Sequence, residues 1–261
     1  MQVDRVLAPN PGLFTGPGTN TYVARDGGEC VVIDPGPVIP EHLAAVRAVL
    51  GDDRPVGVLV THTHPDHAPA ANPLAADLGV PAYGFARGPS FNPDVPLADG
   101  DGVVFGGARL VAIHTPGHSA DHLCYLGGAV LFTGDHVMGG STVVIEDLTA
   151  YLRSLRRVRA LDAALFHPGH GPRIDDPGAV VDYYIAHRME REQQILSALA
   201  AGAGTVGEVV EAVYTDVDPA LHPVAVHSVA AHLVKLQLEG RVEFGGEAEW
   251  EAPVGPVEEA D

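Results

Sequence analysis

Short apolar runs separated by Gly and Pro turns fill the first two-thirds of the chain. Those over Thr21–Arg25, Cys30–Asp34, Val56–Thr61, Val103–Phe105, Arg109–His114, His122–Leu126 and Val130–Thr133 have the length and branching of strands. Apolar residues at helical spacing predict helices over Pro40–Leu50, Asp66–Leu78 and Asp147–Ala160. Strands mixed with crossovers and hairpins predict a layered α/β domain with sheets at its centre. The pattern changes after about Ile174. Pro177–Ala201 reads as one long helix, unbroken until Gly202. Thr205-Val-Gly-Glu208 is a capping-box sequence that opens a helix over Val206–Val213. Pro219–Glu239 carries Val226, Val229, Ala230, Leu233, Leu236 and Leu238 mostly on one face, and Gly240 ends it. Arg241–Phe244, a Gly245-Gly246 turn and Glu247–Glu251 then predict a two-stranded wing. Three helices and a small hairpin are the order of a winged-helix unit. The expected domains are 1–175, extending to about 200 with the linking helix, then 202–252, with a loose acidic tail over 253–261.

Composition narrows the functions available. With 46% hydrophobic and 19% charged residues, the 261-residue chain can build a sizeable core. Fifteen Lys+Arg against 34 Asp+Glu give a net charge of −19, which repels polyanions at long range. From residue 202 onward only Lys235 and Arg241 are basic, so the winged-helix unit lacks a phosphate-neutralising surface and duplex DNA is not an expected partner. Two cysteines, Cys30 and Cys124, make neither a disulfide framework nor a paired-cysteine zinc site. No apolar run is long enough to cross a membrane and no secretory signal is visible at Met1–Gly12, so the expectation is a cytoplasmic protein without membrane contact.

The chemistry concentrates in Val58-Leu-Val-Thr-His62-Thr-His64-Pro-Asp66-His67. An apolar strand ends there, and four potential ligands follow in six residues. His62 and His64 share a face of an extended strand end, Pro65 breaks it, and Asp66 and His67 are expected to open a helix and point elsewhere. One motif can thus serve two metal ions, with imidazoles for one and a carboxylate plus an imidazole for the other. That donor chemistry suits zinc first, and also iron or manganese. Three further segments place donors beside strand ends: His114-Thr-Pro-Gly-His118 with Asp121-His122, Thr133-Gly-Asp135-His136, and His167-Pro-Gly-His170.

In their joint order these segments resemble the metallo-β-lactamase-fold hydrolase superfamily, over roughly Gly16 to Ile174. The resemblance implies an αββα sandwich with the site at one edge of two sheets. It implies that His62, His64 and His118 hold one metal, that Asp66, His67 and His170 hold the second, and that Asp135 bridges them. Asp34, in Val-Val-Ile-Asp34-Pro-Gly, matches the family's early aspartate and is expected to orient a ligand histidine. Gly18-Thr-Asn-Thr-Tyr22, Gly140-Ser-Thr-Val, Pro168-Gly-His170-Gly-Pro172 and His187-Arg188 with Arg191-Glu-Gln-Gln, together with the winged-helix pattern, are similar to a lactamase-beta-like subgroup that includes a mitochondrial endoribonuclease. Ser141, Thr142 and His136 are candidates for the substrate side.

Two divalent ions sharing a carboxylate lower the pKa of a bridging water, so hydroxide exists near neutrality. Asp66 and Asp135 are the carboxylates expected to serve that chemistry directly. By the resemblance the leading substrate is RNA or another phosphodiester, single-stranded if nucleic acid. The alternative is a thioesterase or other acyl hydrolase acting on a small molecule, as in glyoxalase-II-like relatives. Oxygen-reducing di-iron members carry a carboxylate where His64 stands, and true β-lactamases typically carry a cysteine where Asp135 stands, which argues against both roles. The winged helix is expected to pack on the hydrolase domain, wall its pocket or mediate a homodimer. Arg153, Arg156, Arg157 and Arg159 form the one basic cluster, read as a solvated face complementing a helix C-terminus.

Overall fold

The computed structural model describes residues 1–140 and 143–256. The first sheet has six strands in the order β1 (Gln2–Leu7), β2 (Asn20–Asp26), β3 (Glu29–Ile33), β4 (Arg54–Leu59), β5 (Ala82–Gly84) and β6 (Val95–Pro96). The first three are antiparallel and the rest run parallel from β3 onward. The second sheet is built from β7 (Gly102–Phe105), β8 (Ala108–His114), β9 (Leu123–Gly127), β10 (Val130–Gly134) and β11 (Leu165–Pro168), in the order β11-β10-β9-β8-β7.

Alternation along each strand divides the core into layers. Tyr22, Ala24, Val31, Ile33 and Leu59 of the first sheet meet Phe105, Leu110, Ala112, Leu123, Tyr125 and Phe132 of the second. The residues between them point outward. Val23, Cys30, Val32 and Val58 are covered by α1 (Pro40–Leu50) and α2 (Ala71–Leu78). Ile113, Cys124 and Leu131 are covered by α3 (Leu148–Ala160) and α4 (Pro177–Ala200). The result is the expected sandwich of two sheets between two helical layers.

The C-terminal unit consists of α5 (Val206–Val213), α6 (His222–Leu238), β12 (Val242–Phe244) and β13 (Val254–Pro256). Its core takes in Ile195 and Ala198 from the end of α4, while Ala231 of α6 reaches back into the layer under the second sheet. At the junction Glu192 of α4, only 2% exposed, accepts from Lys235 Nζ at 2.6 Å and Arg241 Nη1 at 2.9 Å. Both cations of this unit are committed to one buried carboxylate.

Three expectations need correction. The strands β1, β5 and β6 lie outside the expected set, β1 because its Val and Leu residues are half-buried or exposed and carry little periodic signal, β5 and β6 because three and two residues are too few to show alternation. The second helix starts at Ala71 and not at Asp66, because Pro65–His67 form a turn in which the His67 and Ala68 amides bond back to the His64 carbonyl. The second wing strand is Val254–Pro256, so the acidic tail cannot begin at Pro253. Glu247–Glu251 alternates like a strand, but the Trp250 and Ala252 carbonyls accept the free amides of Gly207 and Val206 at the start of α5, and the segment turns there to do so.

Candidate metal centre

The site is assembled where strands of both sheets end. β4 gives way to the turn holding His62, His64, Asp66 and His67; His118 lies between β8 and β9; Asp135 follows β10; and His170 follows β11. The sheets are tied together at this edge, since the Leu123 amide donates to the Thr61 carbonyl at 2.7 Å and Tyr125 Oη to the Val60 carbonyl at 2.6 Å. Gly169 allows the closest approach: a side chain there would meet Asp135 Oδ1 at 2.4 Å and His67 Cε1 at 2.7 Å.

Donor atoms converge in three overlapping groups: His62, His64 and His118; His62, His67 and Asp135; and Asp66, His67 and His170. Within each group they lie within 4.8 Å of one another. In the first, His62 Nε2 is 3.0 Å from His64 Nδ1, and His118 Nε2 is 3.1 Å from His64 Nδ1 and 3.3 Å from His62 Nε2. In the last, Asp66 Oδ2 is 3.1 Å from His170 Nε2 and 3.4 Å from His67 Nε2. Asp135 stands between, with Oδ2 3.7 Å from His118 Nε2 and 3.4 Å from His170 Nε2.

The opposite nitrogen of four rings is held by the protein, which fixes each tautomer. His67 Nδ1 meets Asp34 Oδ2 at 3.0 Å, His118 Nδ1 donates to the Val144 carbonyl at 2.7 Å, and His170 Nδ1 to the Gly18 carbonyl at 3.2 Å. His62 Nδ1 lies 3.0 Å from Thr61 Oγ1, which itself donates to Asp34 Oδ2 at 2.7 Å. Asp34 therefore serves His67 directly and His62 through Thr61. Its own backbone sits at φ 49, a region a β-branched or bulky residue rarely adopts, and its carboxylate takes the Thr61 amide as well at 2.7 Å.

Electrostatics divides the cluster. Burial holds His62 and His118 below the ordinary imidazole range, reinforced for His62 by His67 and His118 and for His118 by His64, against the pull of Asp135. Burial also opposes charge on His67 and His170, but Asp135 and Asp66 overcome it, driving His67 well up and His170 to about 9. Asp66 and Asp135 are held low despite burial, by His67 and by hydrogen bonds from His170.

The donor set fits divalent ions. The Nε2 lone pairs of His62 and His118 face the same space, and among the described residues buried Asp135 Oδ1 has no hydrogen-bond donor, His67 Nε2 lying 3.4 Å away. Carboxylates that draw protons onto two imidazoles mark the place where positive charge is needed.

Of the other expected residues, Ser141 and Thr142 lie outside the described residues. His136 is a correction: it is completely buried beside Tyr151 and His122, its pKa driven down by burial to about 3, and it does not face a substrate. His122 is equally enclosed, its Nε2 accepting the Asp135 amide at 3.2 Å. Thr61, Gly169 and the Gly18 and Val144 carbonyls escape a sequence reading, since neither a hydroxyl beside a histidine nor a backbone carbonyl carries a signal of its own.

A family model described as the metallo-beta-lactamase superfamily matches residues 14–170. The chain belongs to that superfamily. A second model, the beta-lactamase associated winged helix domain, matches residues 205–250. As a metallo-beta-lactamase superfamily member the chain is a hydrolase with a mixed α/β fold suited to a dinuclear metal site. It is 33% identical over 269 residues to a beta-lactamase-like protein 2 homolog of Drosophila melanogaster, covering 95% of this chain and 92% of that one. It is 35% identical to an atrochrysone carboxyl ACP thioesterase of Aspergillus chevalieri, covering 95% of this chain and 86% of that one. The crystal structure of a metallo-beta-lactamase family protein from Thermus thermophilus shares the fold at a TM-score of 0.80 and 23% identity, covering 97% of this chain and 98% of that one.

Proposed function

We propose that this hydrolase cleaves acyl thioesters at a dinuclear zinc site held by His62, His64 and His118 on one side, Asp66, His67 and His170 on the other, and Asp135 between. The observation that carries the metal assignment is the convergence of these donors, with Asp135 Oδ1 lacking a hydrogen-bond partner among the described residues. Bound there, two divalent ions supply Lewis-acid polarisation and the acidification of water. The chain's own part is to aim the imidazole donors through the groups behind them, and to leave Asp66, whose side chain is 25% exposed, as the carboxylate nearest to an incoming substrate and water.

Charge supports a thioester over RNA. Arg157 is paired with Asp99 at 2.8 Å and Arg159 with Asp182 at 3.1 Å, so half of the basic cluster on α3 is already neutralised. Lys235 and Arg241 are committed to Glu192, which also supports the absence of duplex-DNA binding. The nearly full-length similarity to an acyl-carrier-protein thioesterase points the same way. The test is thiol release from acyl-pantetheine and acyl-carrier-protein thioesters by zinc-reconstituted protein, run beside short single-stranded RNA. Metal-dependent thiol release with intact RNA is expected. RNA cleavage without thiol release would restore the phosphodiester reading.

A further inference from the structure

Arg188 is not accounted for by the metal cluster or by the domain clamp. It lies on α4, the helix shared by both domains, and is only 5% exposed. Among the described residues no carboxylate lies within ion-pair distance of it, and its Nε has no hydrogen-bond partner. Its guanidinium carbon is 6.0 Å from the Tyr151 ring centre, and Nη2 donates to the Val143 carbonyl at 2.8 Å. Burying a cation without a counter-charge is costly, and stability alone would favour an apolar side chain of similar length. What the guanidinium holds is the carbonyl immediately before Val144, whose own carbonyl takes the His118 Nδ1 proton at 2.7 Å. The same stretch docks on the other side, where the Glu146 and Asp147 amides both donate to the Gly117 carbonyl, at 2.8 and 3.0 Å. His118 and the 143–147 segment are therefore bonded to each other at two points, and Arg188 is their tether to α4.

We propose that Arg188 is a positioning residue for the His62, His64 and His118 half of the metal centre, acting through the Val143 and Val144 carbonyls on the orientation of His118. The inference rests on the dinuclear reading above. Among the described residues no buried arginine tethers the other half: His67 is held by Asp34, just after β3, and His170 by the Gly18 carbonyl, just before β2.

The experiment is zinc binding by chelator competition. The unmodified protein is titrated first, and two ions per chain establish the parent reading. Arg188→Met is then introduced into two backgrounds. With His170→Ala, which leaves the all-imidazole half, it should weaken zinc about 10–100-fold, the range typical of losing a partner behind a metal ligand. With His118→Ala it should leave the remaining affinity within about threefold. Arg188→Lys, which keeps the charge but loses the planar fork, should recover part of the loss and gives a second variant if the methionine form does not fold. Equal weakening in both backgrounds, or no weakening in either, overturns the proposal while two-ion binding by the unmodified protein keeps the parent reading. Fewer than two ions in the unmodified protein overturns both.

Discussion

The two halves of the ligand cluster are separated by a few ångströms and differ in how they manage charge. In the His62, His64 and His118 half burial keeps His62 and His118 below the ordinary imidazole range, so their Nε2 atoms present lone pairs. The Asp66, His67 and His170 half is saturated with negative charge, and its imidazoles carry protons until a cation replaces them. The lesson is that one short motif supplies both halves because each draws its remaining donors from a different strand end: His118 for the first, His170 for the second, with Asp135 common to both.

The largest effect should come from the shared residue. Asp135→Ala is expected to weaken both ions by more than about 100-fold, beyond the loss of a partner behind a ligand, and to take turnover to background. Two bound ions with near-normal turnover, read by elemental analysis and thiol release, would mean that the halves do not share it. Next, His118→Ala and His170→Ala should each leave one ion per chain, in opposite halves. Loss of both ions from either variant would make the cluster a single unit.

Asp34→Ala should act on both halves unequally, weakening the carboxylate half about 10–100-fold through His67 and the all-imidazole half less, through Thr61. Thr61→Val, which removes the hydroxyl between His62 Nδ1 and Asp34 Oδ2 but leaves Asp34 on His67, should weaken the all-imidazole half more than the carboxylate half. Equal effects of the two substitutions on both halves, by chelator competition, would count against this wiring.

The smallest effect is protonic. His170 is raised to about 9 in the folded protein, so its contribution to stability is full below about pH 6.5 and is lost as pH rises through about 9. His62 is depressed, so its contribution is present above about 6.5 and lost as pH falls below that. Metal-free protein should therefore be most stable to urea near neutrality, each tenfold change in proton affinity between folded and unfolded chain being worth about 1.4 kcal/mol. Calorimetry at pH 7.5 in buffers of different ionisation enthalpy should find more protons released by zinc entering the carboxylate half in His118→Ala than by zinc entering the other half in His170→Ala. Equal release from both would erase the distinction.

Much of this is legible in the sequence for a definite reason. Ligands that follow apolar runs, such as His62 after Val58-Leu-Val, announce themselves because the strand and the donor are adjacent. The limits of α1 and α5 are readable because Pro40 and Thr205 mark their starts. What stays hidden depends on contacts between distant segments. Asp34 can be matched by position, but its double service through Thr61 needs the parallel pairing of β3 and β4. Arg188 looks like one more helical charge until its burial is visible. The wing misleads because Glu247–Glu251 has the alternation of a strand and none of its pairing, its carbonyls being used to cap α5.

The tie between Thr61 and Leu123 at the edge of the sheets bears on the order of events as the enzyme matures. The all-imidazole group joins residues 62 to 118, and the carboxylate group joins residues 66 to 170, so neither is complete in any short stretch of newly made chain. Closing such long loops precedes the contacts that reward it. The expectation is that the ion arrives at a finished cage, in contrast to small domains that fold around their zinc. Because the same site admits substrate beside Asp66, whose side chain is 25% exposed, a chelator should strip the ions while the tie between the sheets stays closed and the protein stays folded, which circular dichroism of the stripped protein checks.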